Sequence, residues 1–367
     1  MPDSPVASPK PTEGSLLGSG AVSGALHAAK LNVGGQAVIE GVMMRSPRSL
    51  AVVCRSAAGE IVVKEQAWRS LWERLRFLRW PFFRGAVVLF ESLANGMSAL
   101  SFSAKVQMAG EEAEQAAKEG GDAPKPLDLG DTEEKAPSFA GVILFSVVVA
   151  LALFVGLPHL ITALLGFSAS TVGFHLVDGL IKAAIFVGYI AIIGMMPDIR
   201  RVFEYHGAEH KAIFTYEKGL PMAVEHAREQ TRFHPRCGTS FLFIVILVSI
   251  LIFALTLRMP LVDNKILDNV LKVFIKVPLM LPVAGLSYEV LKLSARFEKN
   301  PVVRALVYPG LLLQRITTRE PSDDQLEVAL LAIEKTLWRE QLDPAEDDPA
   351  RDVEIFPSFE EARAGIS

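Results

Sequence analysis

The sequence is poor in the residues that mark a secreted scaffold or a nucleic-acid binder. Only two cysteines, Cys54 and Cys237, occur in 367 residues. Two thiols make no disulfide framework, and a reducing compartment suits them. The formal net charge is −4, so the basic excess of a general nucleic-acid binder is missing. Residues 1–31 are rich in Ser, Pro, Gly and Ala, lack the apolar core of a signal peptide, and read as a disordered tail.

Apolar residues, by contrast, make up half the chain, and its mean hydropathy is positive, more than one soluble domain of ordinary patterning carries. Four segments, 139–166, 174–196, 241–259 and 266–291, come near or above the roughly 20 residues that a bilayer requires. The loop between the second and third holds Arg200, Arg201, Lys211, Lys218, Arg228, Arg232 and Arg236, while the loop between the first two has no Lys or Arg. The positive-inside rule then puts the 197–240 block in the cytoplasm, and an even number of spans puts both termini there too. Lys182 in the second span is expected to snorkel, and Glu289 near the inner face to find a cationic partner or a metal.

Around these spans the chain is amphipathic. Residues 32–66 contain short β-prone runs broken at Ser46-Pro47-Arg48 and Ala57-Ala58-Gly59, a small antiparallel meander with Glu40 on its solvent face. Residues 67–106 read as interfacial helices. Arg69, Arg74, Arg76, Arg79 and Arg84 alternate with Trp68, Trp72, Phe77 and Trp80, which suits anionic lipid better than nucleic acid. Glu91, Asn95 and four serines weigh against a span over 85–104. Residues 107–138 form an acidic, disordered linker, 292–340 amphipathic cytoplasmic helices, and 341–367 a loose acidic tail. Ser322 and Gln325 make a capping box ahead of a helix with Leu326, Ala329, Leu330, Ile333 and Leu337 on one side, a face that needs a surface such as the meander. The fold class is therefore mainly α: a polytopic membrane protein with four transmembrane helices, a small N-terminal β meander and amphipathic cytoplasmic helices.

The chemistry concentrates between Met196 and Phe241, which holds four of the seven histidines and Cys237. Asp198 is placed to cap a helix and Gly219 and Pro221 to stop it. On that helix His206 and His210 share the apolar face of Ile199, Val202, Phe203, Ile213 and Phe214. His206-x-x-Glu209-His210 is the H-x-x-E-H arrangement, in which two imidazoles one turn apart chelate zinc and the carboxylate serves as general base. His234 and Cys237, in His234-Pro235-Arg236-Cys237, offer further nitrogen and sulfur ligands. The bland alternative is that these histidines bond only backbone carbonyls and Glu209 only pairs with Arg201 or Lys211.

Four motifs, GGQAVIEGVMMR, PDIRRVFEYHGAEHKAIFTYE, HPRCGTSF and QRITTREPSDDQLEVA, resemble the YqhQ-like family of bacterial membrane proteins (domain of unknown function 1385). The resemblance covers residues 32–340. It implies a polytopic protein of the bacterial inner membrane and a metal-dependent enzyme whose residues are matched by His206, Glu209, His210, His234 and Cys237. Two functions follow. One is a zinc hydrolase at the cytoplasmic membrane face, with Glu209 as base and His206, His210, His234 or Cys237 as ligands. The other is a non-enzymatic membrane scaffold or assembly factor in which the histidine–cysteine cluster is structural.

Overall fold

A computed structural model of the chain describes residues 31–70, 80, 83–118, 139–297, 300–341 and 353–365. The expected disordered tail, most of the Arg/Trp-rich segment and most of the acidic linker lie outside the described residues.

The meander is present and larger than its sequence suggests. Strands β1 (Gly34–Val38), β2 (Gly41–Arg45), β3 (Ser49–Arg55) and β4 (Ile61–Ala67) pair antiparallel in chain order, and β5 (Glu354–Phe356) adds to the outer edge of β4. The first β-prone run thus holds two strands, Val38 pairing with Gly41. Glu40 sits in the two-residue turn between them with φ 49°, the left-handed conformation such hairpins demand. It is not a strand residue on the solvent face: its carboxylate pairs with the Arg201 guanidinium.

Alternation along the strands gives the sheet two apolar faces. Val42, Met44, Val53, Ile61 and Val63 face one way; Val38, Met43, Leu50, Val52, Cys54 and Val62 face the other. The second face is covered by α1 (Phe83–Lys118), through Ala99 and Val106. Residues 107–118, expected to be disordered, continue this helix. The first face carries α5 (Pro197–Glu217), followed by the short α6 (Val224–Arg228), and α10 (Asp323–Gln341), and α10 buries Leu326, Ala329, Leu330, Ile333 and Leu337 against it as their spacing predicts. The Ser322 amide donates to Gln325 Oε1 at 2.9 Å, half of the expected capping box. The acidic tail is not wholly loose: β5 and α11 (Phe359–Ala364) dock on this layer, with Glu354 taking Lys335 at 2.8 Å.

The apolar segments form α2 (Phe139–Leu151), which runs through a π-helical turn at Ala152–Gly156 into α3 (Leu157–Leu164), then α4 (Val172–Ile193), α7 (Gly238–Thr256) and α8 (Lys265–Arg296). Among the described residues five helices, not four, are long and apolar enough to cross a membrane, because Arg84–Gln115 within α1 also qualifies. Of the polar groups that weigh against a span there, Glu91 is buried and accepts the Ser70 hydroxyl at 2.8 and 2.9 Å. Lys182 does not snorkel. It turns inward to Asp178 at 3.6 Å. Glu289 pairs with Arg84 of α1 and does not approach the histidine helix.

Candidate metal centre

Helix α5 begins at Pro197, with Met196 as N-cap and Asp198 in its first turn without a capping hydrogen bond. Gly219, with φ 69°, ends it. The Gly219 and Leu220 amides return to the Tyr216 and Thr215 carbonyls at 2.9 and 3.0 Å, a Schellman closure that needs the left-handed residue. The helix is clamped midway. A Cβ on Gly207 would stand 2.0 Å from the Arg319 carbonyl oxygen, so the connection between α9 (Pro301–Thr317) and α10 rests on bare helix backbone there. The Arg319 amide fixes this contact by donating to the Phe203 carbonyl at 2.8 Å.

That clamp orients the two imidazoles. His206 Nδ1 lies 2.8 Å from the Thr317 carbonyl, and His210 Nδ1 is hydrogen-bonded to the Arg232 carbonyl. A carbonyl only accepts, so each Nδ1 carries the proton and each Nε2 keeps its lone pair. His206 Nε2 stands 3.2 Å from Cys237 Sγ. His210 Nε2 is buried with no hydrogen-bond partner among the described residues. Ligand atoms of His206, His210 and Cys237 all fall within 4.8 Å of one another. Cys237 is the N-cap of α7, and Thr239 Oγ1 donates to its sulfur at 3.3 Å.

This donor set fits zinc. Two imidazoles and a sulfur are ligands that zinc accepts, and backbone carbonyls hold the ring orientations as outer-shell partners do. Three protein ligands would leave a fourth position free.

His234 does not join them. Its Nδ1 accepts from the Arg236 amide at 3.3 Å, and its Nε2 lies 3.6 Å from Glu217. Its ring centroid is 5.6 Å from that of His210. Glu209 also stays outside the ligand group. It is buried between α5 and β1, where the Gly35 amide bonds it and a Cβ on Gly35 would come within 3.0 Å of Glu209 Cγ. Burial raises its pKa, against the opposing pull of His206, His234 and the Gly35 amide. Burial likewise lowers the pKa of His210 and His234. Of the bland alternative, the histidine bonds to backbone carbonyls are present, whereas Arg201 goes to Glu40 and Lys211 to Glu320 at 2.7 Å and not to Glu209.

Sequence reasoning missed the residues that hold the ligands. Gln314 grips the His234 backbone twice, accepting from its amide and donating to its carbonyl at 2.8 Å each. Gln314, Thr317 and Arg319 all belong to the QRITTREP motif, so the only signal was that motif's company with the histidine helix.

The family described as "Protein of unknown function (DUF1385)" matches residues 80–339. The chain belongs to it. The "Uncharacterized protein YqhQ" of Bacillus subtilis (strain 168) is 33% identical over 328 residues, covering 87% of this chain and 96% of that protein. No solved structure matches the chain.

Proposed function

We propose that the protein is a multi-pass protein of the bacterial inner membrane and a zinc-dependent hydrolase with its site at the cytoplasmic face. The observation that carries the enzyme reading is the pair of imidazoles whose Nδ1 protons are tied to backbone carbonyls while their Nε2 atoms converge with Cys237. His206, His210 and Cys237 would hold Zn²⁺, which supplies Lewis acidity and lowers the pKa of a bound water. Glu209 is the proton acceptor: a buried carboxylate whose pKa is raised is better matched to neutral pH than an exposed one. His234, held by Gln314 and facing Glu217, braces the loop that delivers Cys237.

Packing supports the orientation. Helix α5 lies on β1 and α10 on β2 and β3, so the chain returns to the side of the sheet after α4 and again after α8. An even number of crossings satisfies this when α2–α3, α4, α7 and α8 span. Helix α1 then lies along the sheet without crossing. The charge pattern puts that side in the cytoplasm.

The alternative is a structural cluster in a non-enzymatic scaffold or assembly factor, favoured by the Gln314 clamp, which ties the Cys237 loop to α9. Metal analysis of full-length protein purified in detergent separates the two. Zinc near one equivalent should be lost in His206→Ala and Cys237→Ser. It should remain in Glu209→Gln, which should still fail to complement a deletion strain. Complementation by Glu209→Gln favours the scaffold, and wild-type protein without any transition metal ends the enzyme reading.

A further inference from the structure

Beside the metal centre, a cleft of about 500 Å³ opens where the apolar helix α4 ends, at Ala191 and Gly194. Four guanidinium groups line it, those of Arg200, Arg232, Arg315 and Arg319, against the two carboxylates of Glu204 and Glu320. The carboxylates leave the positive charge incompletely answered. Glu204 takes Arg200 at 3.5 Å, and Glu320 takes Arg232 at 3.4 Å while also serving Lys211. Arg319 donates through Nη2 to the Gly194 carbonyl at 3.3 Å, but its Nε is buried with no hydrogen-bond partner among the described residues. Arg315 is exposed and has no ion-pair partner among the described residues. A buried donor left unmatched is costly, and an acceptor entering the cleft would relieve it.

We propose that this cleft binds a phosphate group and holds a phosphate-bearing substrate against the metal centre. Arginine forks match the oxygens of phosphate, and a spare fork together with an orphaned Nε provides the donors that such an anion needs. The location points the same way. The Arg232 carbonyl that holds His210 and the Thr317 carbonyl that holds His206 belong to the two segments forming the cleft wall. The cleft lies at the end of an apolar helix, where a span of the proposed topology would meet phospholipid headgroups. The substrate assignment rests on the hydrolase reading; phosphate binding by the cleft does not.

The test is binding to full-length protein in detergent, using dioctanoyl phosphatidic acid, inorganic phosphate and, as the phosphate-free control, dioctanoylglycerol. Phosphatidic acid should bind saturably and dioctanoylglycerol should not. Arg315→Glu and Arg319→Gln should each weaken binding about tenfold or more, the scale of a lost charge-assisted contact, and Arg315→Glu, an exposed position outside the clamp on the histidine helix, should keep its zinc. His206→Ala should lose zinc and keep phosphatidic acid. Arg315 is exposed, so its variant is informative even where Arg319→Gln fails to fold. Inorganic phosphate competing as strongly as the lipid identifies a soluble phosphate compound as the source; much tighter lipid binding identifies a headgroup. Both outcomes support the cleft. Absence of phosphate binding, or binding indifferent to Arg315→Glu, overturns it, while zinc-free protein that still binds phosphate overturns only the hydrolase reading.

Discussion

His206 and His210 each surrender one ring nitrogen to a backbone carbonyl, and this decides what the other can do. An imidazole whose Nδ1 proton is fixed has a directed Nε2 lone pair, and two of them one helical turn apart aim at one sulfur. The quality of the site thus depends on residues with no ligand chemistry, above all Gly207. Any side chain there meets the Arg319 carbonyl, two residues beyond Thr317, whose own carbonyl holds His206. Alanine gains about 1 kcal/mol of helix propensity over glycine, but the forced displacement costs on the order of 1–3 kcal/mol. Gly207→Ala should therefore melt several degrees below wild type and retain zinc about tenfold less tightly, since disturbed outer-shell partners carry that penalty. Unchanged melting and zinc affinity would show that the α9–α10 connection yields. Spacing on the helix revealed the imidazole pair; the carbonyls that orient it come from residues 22 and 111 positions away in sequence, which no local pattern encodes.

At the scale of elements, α3, α4 and α8 are joined by buried ionic groups inside their apolar lengths. Lys276 Nζ lies 3.1 Å from both oxygens of Asp178 and 3.0 Å from His159 Nδ1, and Lys182 reaches the same Asp178. Lys272 pairs with Asp268 at 2.9 Å and donates to Ser170 at 2.8 Å. Lys272 and Lys276 are fully buried. Removing one partner of such a group strands the other, at a cost of about 3–5 kcal/mol. Asp178→Ala should lower the unfolding midpoint of the purified protein accordingly, and Asp178→Ala combined with Lys276→Met should recover most of the loss. A single variant as stable as wild type would mean that water reaches Lys276. Sequence reading singles out only Lys182 and Glu289 among the charges of these helices, and turns Lys182 outward. The i, i+4 spacing of Asp178 with Lys182 and of Asp268 with Lys272 was the available clue. The cross-helix pairing of Asp178 with Lys276 depends on which helices meet, and hydropathy does not say.

For the whole molecule, length and composition mark five helices able to cross a membrane among the described residues, and packing bears on which of them would. Helix α1 passes the same test of length and apolarity as the other four, yet it covers one face of the sheet while α5 and α10 cover the other. Reporters inserted in the 119–138 linker and at Lys218 should both read cytoplasmic, and one in the 258–264 loop should read extracytoplasmic. A linker reporter on the far side would make α1 a true span and would be incompatible with one sheet gripped by both helix layers. The meander and α10 were legible because alternation and a capped amphipathic stripe are local signals. The role of the tail was not, because three residues, Glu354–Phe356, are too few to advertise a strand until β4 is there to receive them. That short strand hides the outermost backbone of the sheet, where Ile61 meets Phe356 and Val63 meets Glu354. Shortening the chain before Glu354 would bare a row of unsatisfied amides beside apolar side chains, the template on which copies of a protein stick together. Overexpressed protein is thus better handled with its affinity tag away from the C-terminus, where a bulky appendage would pry at the sheet's last seam.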